Sequence, residues 1–198
     1  MGKLILLDTN IYRQLGPKFY EHGFYKKLRS YMYSTEAKFL LTRTVYEEYM
    51  DFYKSDVLEK PVDEIEKQLQ KLAKLEHFAQ INFPTFSQNI NSQIEFITRK
   101  LKENAVLLNE DGLITEKDLV EFLIFNRKAS RKDNTKDYII WLNVLAAAKK
   151  YNDKWIILIS ADKIFEENTH FRLLRARADI NNLHILPSIL SFLEAYQT

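Results

Sequence analysis

Residues 3–7 read KLILL and run straight into Asp8-Thr9-Asn10. A short apolar run closed by turn-forming residues is the pattern of a buried strand. Asp, Thr and Asn are helix-capping types, so the segment reads as a parallel strand feeding a helix. Residues 155–159, WIILI, repeat the pattern and close on Ser160-Ala161-Asp162. Residues 37–41, AKFLL, and residues 183–186, LHIL, give two more strands.

Helical periodicity fills the intervals. It runs to about residue 33 through Phe19, Phe24, Leu28 and Met32. Thr42 or Thr44 is placed to cap a helix through residue 53 that carries Val45, Tyr49, Met50 and Phe52. Pro61 sits at a first helical position, and Ile65, Leu69, Leu72 and Leu75 form a stripe to about residue 78. After a break at Asn82-Phe83-Pro84, a helix is expected over 87–108, then a turn at 109–112. Thr115 and Asp118 outline a capping box that opens a short helix to Phe125. Residues 126–136 are a basic polar loop, 137–150 a helix, and Pro187 opens a last helix with Ile189, Leu190, Leu193 and Tyr196. Strands alternating with helices predict an α/β fold with a mostly parallel central sheet. The stretch 57–125 reads as mainly helical, a helical insertion or clamp on a single domain spanning 1–198.

Composition narrows the function. The chain has 198 residues, 46% hydrophobic and 28% charged, as in an ordinary globular domain. Only four Gly and four Pro exclude collagen-like and linker-rich chains and disfavour a turn-dense β sandwich. The absence of Cys excludes disulfide scaffolds, thiol nucleophiles and Cys-ligated zinc, and fits a reducing, cytoplasmic setting. No apolar run approaches the roughly 20 residues of a membrane span, and Asp8 interrupts any signal-like segment, so a mature protein with no membrane partner is expected. The four His show no zinc-binding spacing, and neither a phosphate-binding glycine loop nor a G-x-S-x-G elbow is present.

The chemistry lies in the acids. In open parallel sheets, sites form beyond the carboxyl ends of strands. Asp8 and Asp162 follow two predicted strands there, while Glu48, with Glu47 beside it, and Asp137 lie early in helices that point to the same edge. Carboxylates crowded together repel, and a divalent cation relieves the conflict. An oxygen-only ligand set suits Mg²⁺ or Mn²⁺, as one ion or two.

LILLDTN, LTRTVYEEY, KDYIIWLNVLAAAKK and WIILISADKIF together resemble the PIN-domain nuclease family. The resemblance covers about 1–55 and 127–197. It implies a three-layer α/β/α sandwich and a metal-dependent ribonuclease, most often an endonuclease, with Asp8, Glu48, Asp137 and Asp162 as catalytic metal ligands. RNA, single-stranded or structured, is the implied substrate. An antitoxin protein, as in toxin–antitoxin pairs, and a homodimeric second copy stay open as partners, though this chain is longer than a minimal toxin. The rival readings are a catalytically silent PIN-fold module that binds RNA or protein, and an acidic-site phosphatase.

Each position has a plainer alternative. Asp8 could serve only as a helix cap, with Thr9 or Asn10 as substitutes in that task. Glu47 competes with Glu48, and Asp133 with Asp137. Asn10, Ser160, Asp133 and Glu47 are supporting candidates, Ser160 as a hydrogen-bond donor to a carboxylate. Arg127, Lys128, Arg131, Lys132 and Lys136 before Asp137, and Arg172, Arg175 and Arg177 after Asp162, are either phosphate contacts or a solvated face. Of these, Arg131, Lys132, Arg172 and Arg175 are the substrate-binding candidates. Tyr12 and Phe165 are candidates for stacking on bases.

Overall fold

The computed structural model describes residues 2–73, 86–109, 115–129 and 135–196. Strands β1 (Gly2–Leu7), β2 (Lys38–Leu41), β3 (Ala105–Leu107), β4 (Lys154–Ile159) and β5 (Leu183–Leu186) form one all-parallel sheet in the order β3-β2-β1-β4-β5. The central pair is in register along its length, from Gly2 opposite Lys154 to Leu7 opposite Ile159. Ile5, Leu6, Ile156, Ile157 and Leu158 are fully buried, because helices cover both faces and complete a three-layer α/β/α sandwich.

The covering helices follow chain order. Between β1 and β2 lie α1 (Thr9–Leu15) and α2 (Gly23–Thr35). Then come α3 (Arg43–Phe52), α4 (Lys60–Ala73) and α5 (Phe86–Lys102) before β3. Helices α6 (Glu116–Ala129) and α7 (Thr135–Lys150) precede β4. Helices α8 (Ile164–Glu167) and α9 (Thr169–Arg177) precede β5, and α10 (Ile189–Tyr196) ends the fold. Tyr31 of α2 meets Phe192 of α10 edge-on at 5.1 Å. The Trp141 ring of α7 stacks on Phe171 of α9 at 5.5 Å and donates its indole N–H to the Phe171 carbonyl.

Several local expectations change. The first helical stretch is divided at Gly16, whose φ of 83° suits a residue without Cβ. Helix α5 stops at Lys102, because Asn104 turns left-handed (φ 59°), and residues 105–107 form β3 where a helix was expected. Part of the stretch read as an insertion therefore belongs to the sheet, paired Phe39 to Ala105 through Leu41 to Leu107. Pro61 does not open a new helix. Helices α3 and α4 are joined by a π-helical segment, Tyr53–Glu59, in which the Lys60 N–H reaches back to the Ser55 carbonyl. The widened turn accommodates a proline that has no N–H and whose ring crowds the preceding turn.

Caps follow side-chain chemistry. Thr42, not Thr44, caps α3 through its hydroxyl and the Val45 N–H. Thr115 and Asp118 make the reciprocal capping box, with Asp118 Oδ2 accepting from the Thr115 N–H at 2.8 Å. Helix α6 runs on to Ala129, past Phe125. The break at Asn82-Phe83-Pro84, the centre of the 109–112 turn, and Arg131, Lys132 and Asp133 lie outside the described residues.

One core residue is out of keeping with its surroundings. Asn143 of α7 is fully buried, and neither its Oδ1 nor its Nδ2 has a hydrogen-bond partner among the described residues. Leucine has nearly the same shape and no polar atoms. Asn143→Leu is expected to stabilise the protein by about 1–2 kcal/mol, a rise of roughly 2–8 °C in melting temperature for a chain of this size. A lower melting temperature in a thermal scan would show that the amide is satisfied in solution.

Candidate active site at the junction of β1 and β4

The sheet changes direction at its centre. From β1 the chain moves outward through β2 to β3, then crosses back to β4 on the other side of β1. Connections leaving β1 and β4 diverge there, which opens a crevice beyond their carboxyl ends. Asp8 and Ser160 are the first residues past those two ends. The Asp8 N–H still pairs with the Ile159 carbonyl, and the Ser160 N–H with the Leu186 carbonyl, so both positions are fixed by the ladder.

Asp8 is 4% exposed and Ser160 3%. Asp8 Oδ1 accepts the Thr9 N–H and Oδ2 accepts the Ser160 hydroxyl, each at 2.6 Å. Asp8 itself holds the cap position of α1, so the capping task does not fall to Thr9 or Asn10. Ser160 Oγ accepts in turn from the Asn10 amide at 3.2 Å and from the Asp162 N–H at 3.1 Å. Asn10 Oδ1 accepts the Ala161 N–H. Asp162 is exposed at the mouth, where its Oδ1 accepts the Ile164 N–H at the start of α8.

Glu48 joins from α3. Its Oε2 accepts the Thr9 hydroxyl at 2.9 Å, while Arg13 (3.5 Å) and Lys136 (3.7 Å) approach Oε1. Thr9 and Arg13 are four residues apart on α1 and so share a face. Glu47 points elsewhere and pairs with Arg43 at 2.6 Å. Asp137 lies in the first turn of α7, next to Lys136.

Burial is the chief reason that the Asp8 carboxyl is raised to about 6 from its usual 3.8. The hydrogen bonds from Ser160 and Thr9 oppose the rise, and the charges of Glu48 and Asp162 add to it. The structure thus brings Asp8, Asn10, Ser160, Glu48 and Asp162 to one place. Among the described residues, no group of three or more Asp, Glu or His side chains stands close enough to form a ligand set as it is. The donor chemistry still fits a hard dication: every polar side-chain atom of the acids here is oxygen, and one carboxyl is desolvated.

One expectation is overturned. Tyr12 (2% exposed) and Phe165 (1% exposed) are core residues and have no free face for a base. Tyr12 packs against Phe19 and Tyr49 at 5.1 and 5.3 Å. Arg172 and Arg175 line a groove beside β5, where Arg175 donates to the Leu183 carbonyl at 2.7 Å. Arg13 and the Thr9 hydroxyl escaped the sequence reading, and the i, i+4 spacing on α1 was the available signal.

A family model described as a PIN domain matches residues 5–165. Comparison with curated proteins and with solved structures returns no match.

The raised Asp8 value has a consequence for stability. The folded chain takes up this proton near pH 6, the unfolded chain near 3.8. Between those values the native state holds more protons, so lowering the pH stabilises it by about 1.4 kcal/mol per pH unit. His170 and His184, held below their usual range chiefly by burial, act in the opposite sense below about pH 6.5. Subtracting Asp8→Asn from wild type isolates the aspartate. Denaturant melts from pH 7 to 4.5 are expected to show wild type gaining on the variant below pH 6. A constant difference would mean that Asp8 titrates normally.

Proposed function

This chain belongs to the PIN-domain family, and we propose that it is a metal-dependent endoribonuclease hydrolysing RNA phosphodiester bonds. The PIN domain is a nuclease-type fold, and PIN domains usually use Mg²⁺ or Mn²⁺. The observation that carries the reading is a desolvated Asp8 carboxyl, fixed at the strand junction, with the carboxylates of Glu48 and Asp162 near enough to raise its proton affinity. Asp8, Glu48 and Asp162, with Asp137 at the head of α7, are the residues that would hold one or two ions. Such an ion, when bound, activates water and neutralises charge building on a scissile phosphate.

The chain's own groups do the positioning. Ser160 fixes the Asp8 rotamer, and Asn10 fixes Ser160. Thr9 aims Glu48. Arg13 and Lys136 keep positive charge beside Glu48, where an incoming phosphate gains from it. Asn10 stands where an aspartyl phosphatase would carry its second Asp, and its amide is engaged with Ser160 and Ala161, which disfavours that chemistry. A second reading, a PIN-fold module that binds RNA without cutting it, draws on Glu48 being already held by two cations.

A mixed RNA and DNA panel with Mn²⁺, Mg²⁺ or EDTA separates the two. Wild type is expected to cut RNA only with metal. Asp8→Asn should lose at least roughly 100-fold, more than the usual cost of removing a supporting partner. Mn²⁺ at a hundred times its dissociation constant stabilises a binding protein by about 2.7 kcal/mol, so wild type should melt roughly 5–10 °C higher with the ion and Asp8→Asn should not. RNA binding with no cleavage and no thermal shift would establish the silent module. Cleavage unchanged in Asp8→Asn would remove this site from the chemistry.

A further inference from the structure

Glu48 meets different partners at its two oxygens. Oε2 accepts the Thr9 hydroxyl at 2.9 Å, which ties the carboxylate to α1. Oε1 faces Arg13 Nη2 at 3.5 Å and Lys136 Nζ at 3.7 Å. Both distances exceed the roughly 2.7–2.9 Å of a charge-assisted hydrogen bond. The same molecule makes such bonds elsewhere: Arg29 reaches Glu103 at 2.7 Å, and Arg43 reaches Glu47 at 2.6 Å. Oε1 is therefore attracted by two bases and gripped by neither.

Arg13 has a second hold. Its guanidinium carbon lies 4.9 Å from the centre of the Phe52 ring, inside the roughly 6 Å over which a cation is drawn to an aromatic face. Phe52 comes one turn after Glu48 on α3, and Arg13 one turn after Thr9 on α1. Arg13 can thus release Glu48 and keep its seat on the ring. Its side chain is 44% exposed, against 16% for Glu48. A pair with one partner so open to water adds little net stability and is easily exchanged. A hard dication brings twice the charge to the same oxygen and takes it as a ligand.

We propose that Arg13 is a positioning residue that competes with a dication for Glu48. It holds the carboxylate until an ion takes it, and so sets the ion concentration at which the site loads. Lys136 adds charge at the same oxygen. This role rests on the metal-dependent reading of the site but does not need cleavage. Its sign is distinctive. Removing a residue that merely supports a metal ligand weakens ion binding, commonly by roughly 10–100-fold, whereas removing a competitor tightens it.

The test therefore reads ion binding. Mn²⁺ alone is titrated into the full chain, and the free ion is followed by its electron paramagnetic resonance signal. Arg13→Gln is expected to bind Mn²⁺ about three- to tenfold more tightly than wild type at low salt. The gain should shrink in 1 M KCl, where the screening length falls to about 3 Å. Arg13→Lys keeps the charge and is expected within about twofold of wild type. Combined with Glu48→Gln, Arg13→Gln should bring no gain, because the carboxylate competed for is gone. Melting temperatures without added metal should agree within about 2 °C. Equal or weaker Mn²⁺ binding in Arg13→Gln overturns the proposal. An equal gain in the Glu48→Gln background also overturns it, since Arg13 would then be only a general repulsive charge. If Arg13→Gln gains affinity but neither protein cuts RNA in Mn²⁺, the hydrolase reading fails and the competition stands. If wild type cuts RNA and both proteins bind Mn²⁺ equally, the competition fails and the hydrolase reading stands. If no protein of the set binds Mn²⁺, both fall.

Discussion

The hydrogen bond from the Ser160 hydroxyl to Asp8 ties the two central strands together at the point where the sheet reverses its order. Backbone pairing alone would bring β1 and β4 level there, but it would not orient a side chain. Ser160 does so because it is saturated: it donates to Asp8 and accepts from Asn10 and from the Asp162 backbone. One buried hydroxyl thus sets the Asp8 rotamer, the first turn of α1 and the loop that carries Asp162. A buried polar group with all its partners made is rigid, whereas one with partners missing is costly. The crevice is preorganised by this network and not by the acids themselves.

Much of this was legible in residue patterns. KLILL-DTN and WIILIS-AD announce strands that end in a carboxylate, because an apolar run of strand length has to be buried on both faces and polar capping residues have to follow it. Thr42 as the α3 cap fixes the phase of that helix, and the phase turns Glu48 inward and Glu47 outward. The capping box at Thr115 was legible for the same reason, since local side-chain to backbone bonds need only nearest neighbours in sequence.

What stayed hidden depends on contacts distant along the chain. Residues 105–107 carry no strand signal of their own; β2 recruits them after Asn104 breaks α5. Pro61 looks like a helix start, because sequence cannot show that a π-helical turn absorbs it. Tyr12 and Phe165 stand close to acids in sequence, yet the rings pack inward, since burying an aromatic surface outweighs holding it ready for a ligand in an open crevice. Arg13 and Lys136 came from different elements to one carboxylate, a convergence that no local pattern encodes.

The relative size of these effects also changes the reason for expecting a cation. Mutual repulsion among the acids is the smaller part of the rise at Asp8; burial is the largest, and the two hydrogen bonds act against it. Glu48 is compensated by a hydroxyl and two basic side chains, and Asp162 reaches solvent. The acids therefore coexist without an ion, so crowding by itself does not demand one. What favours a cation is a carboxyl removed from water and held in one rotamer, because charge neutralisation gains most where solvent does not already supply it. A proton satisfies that demand below about pH 6. Above it Asp8 is an anion with little water around it, and the two carboxylates whose charge it feels are held in place by Thr9 and by the α8 turn.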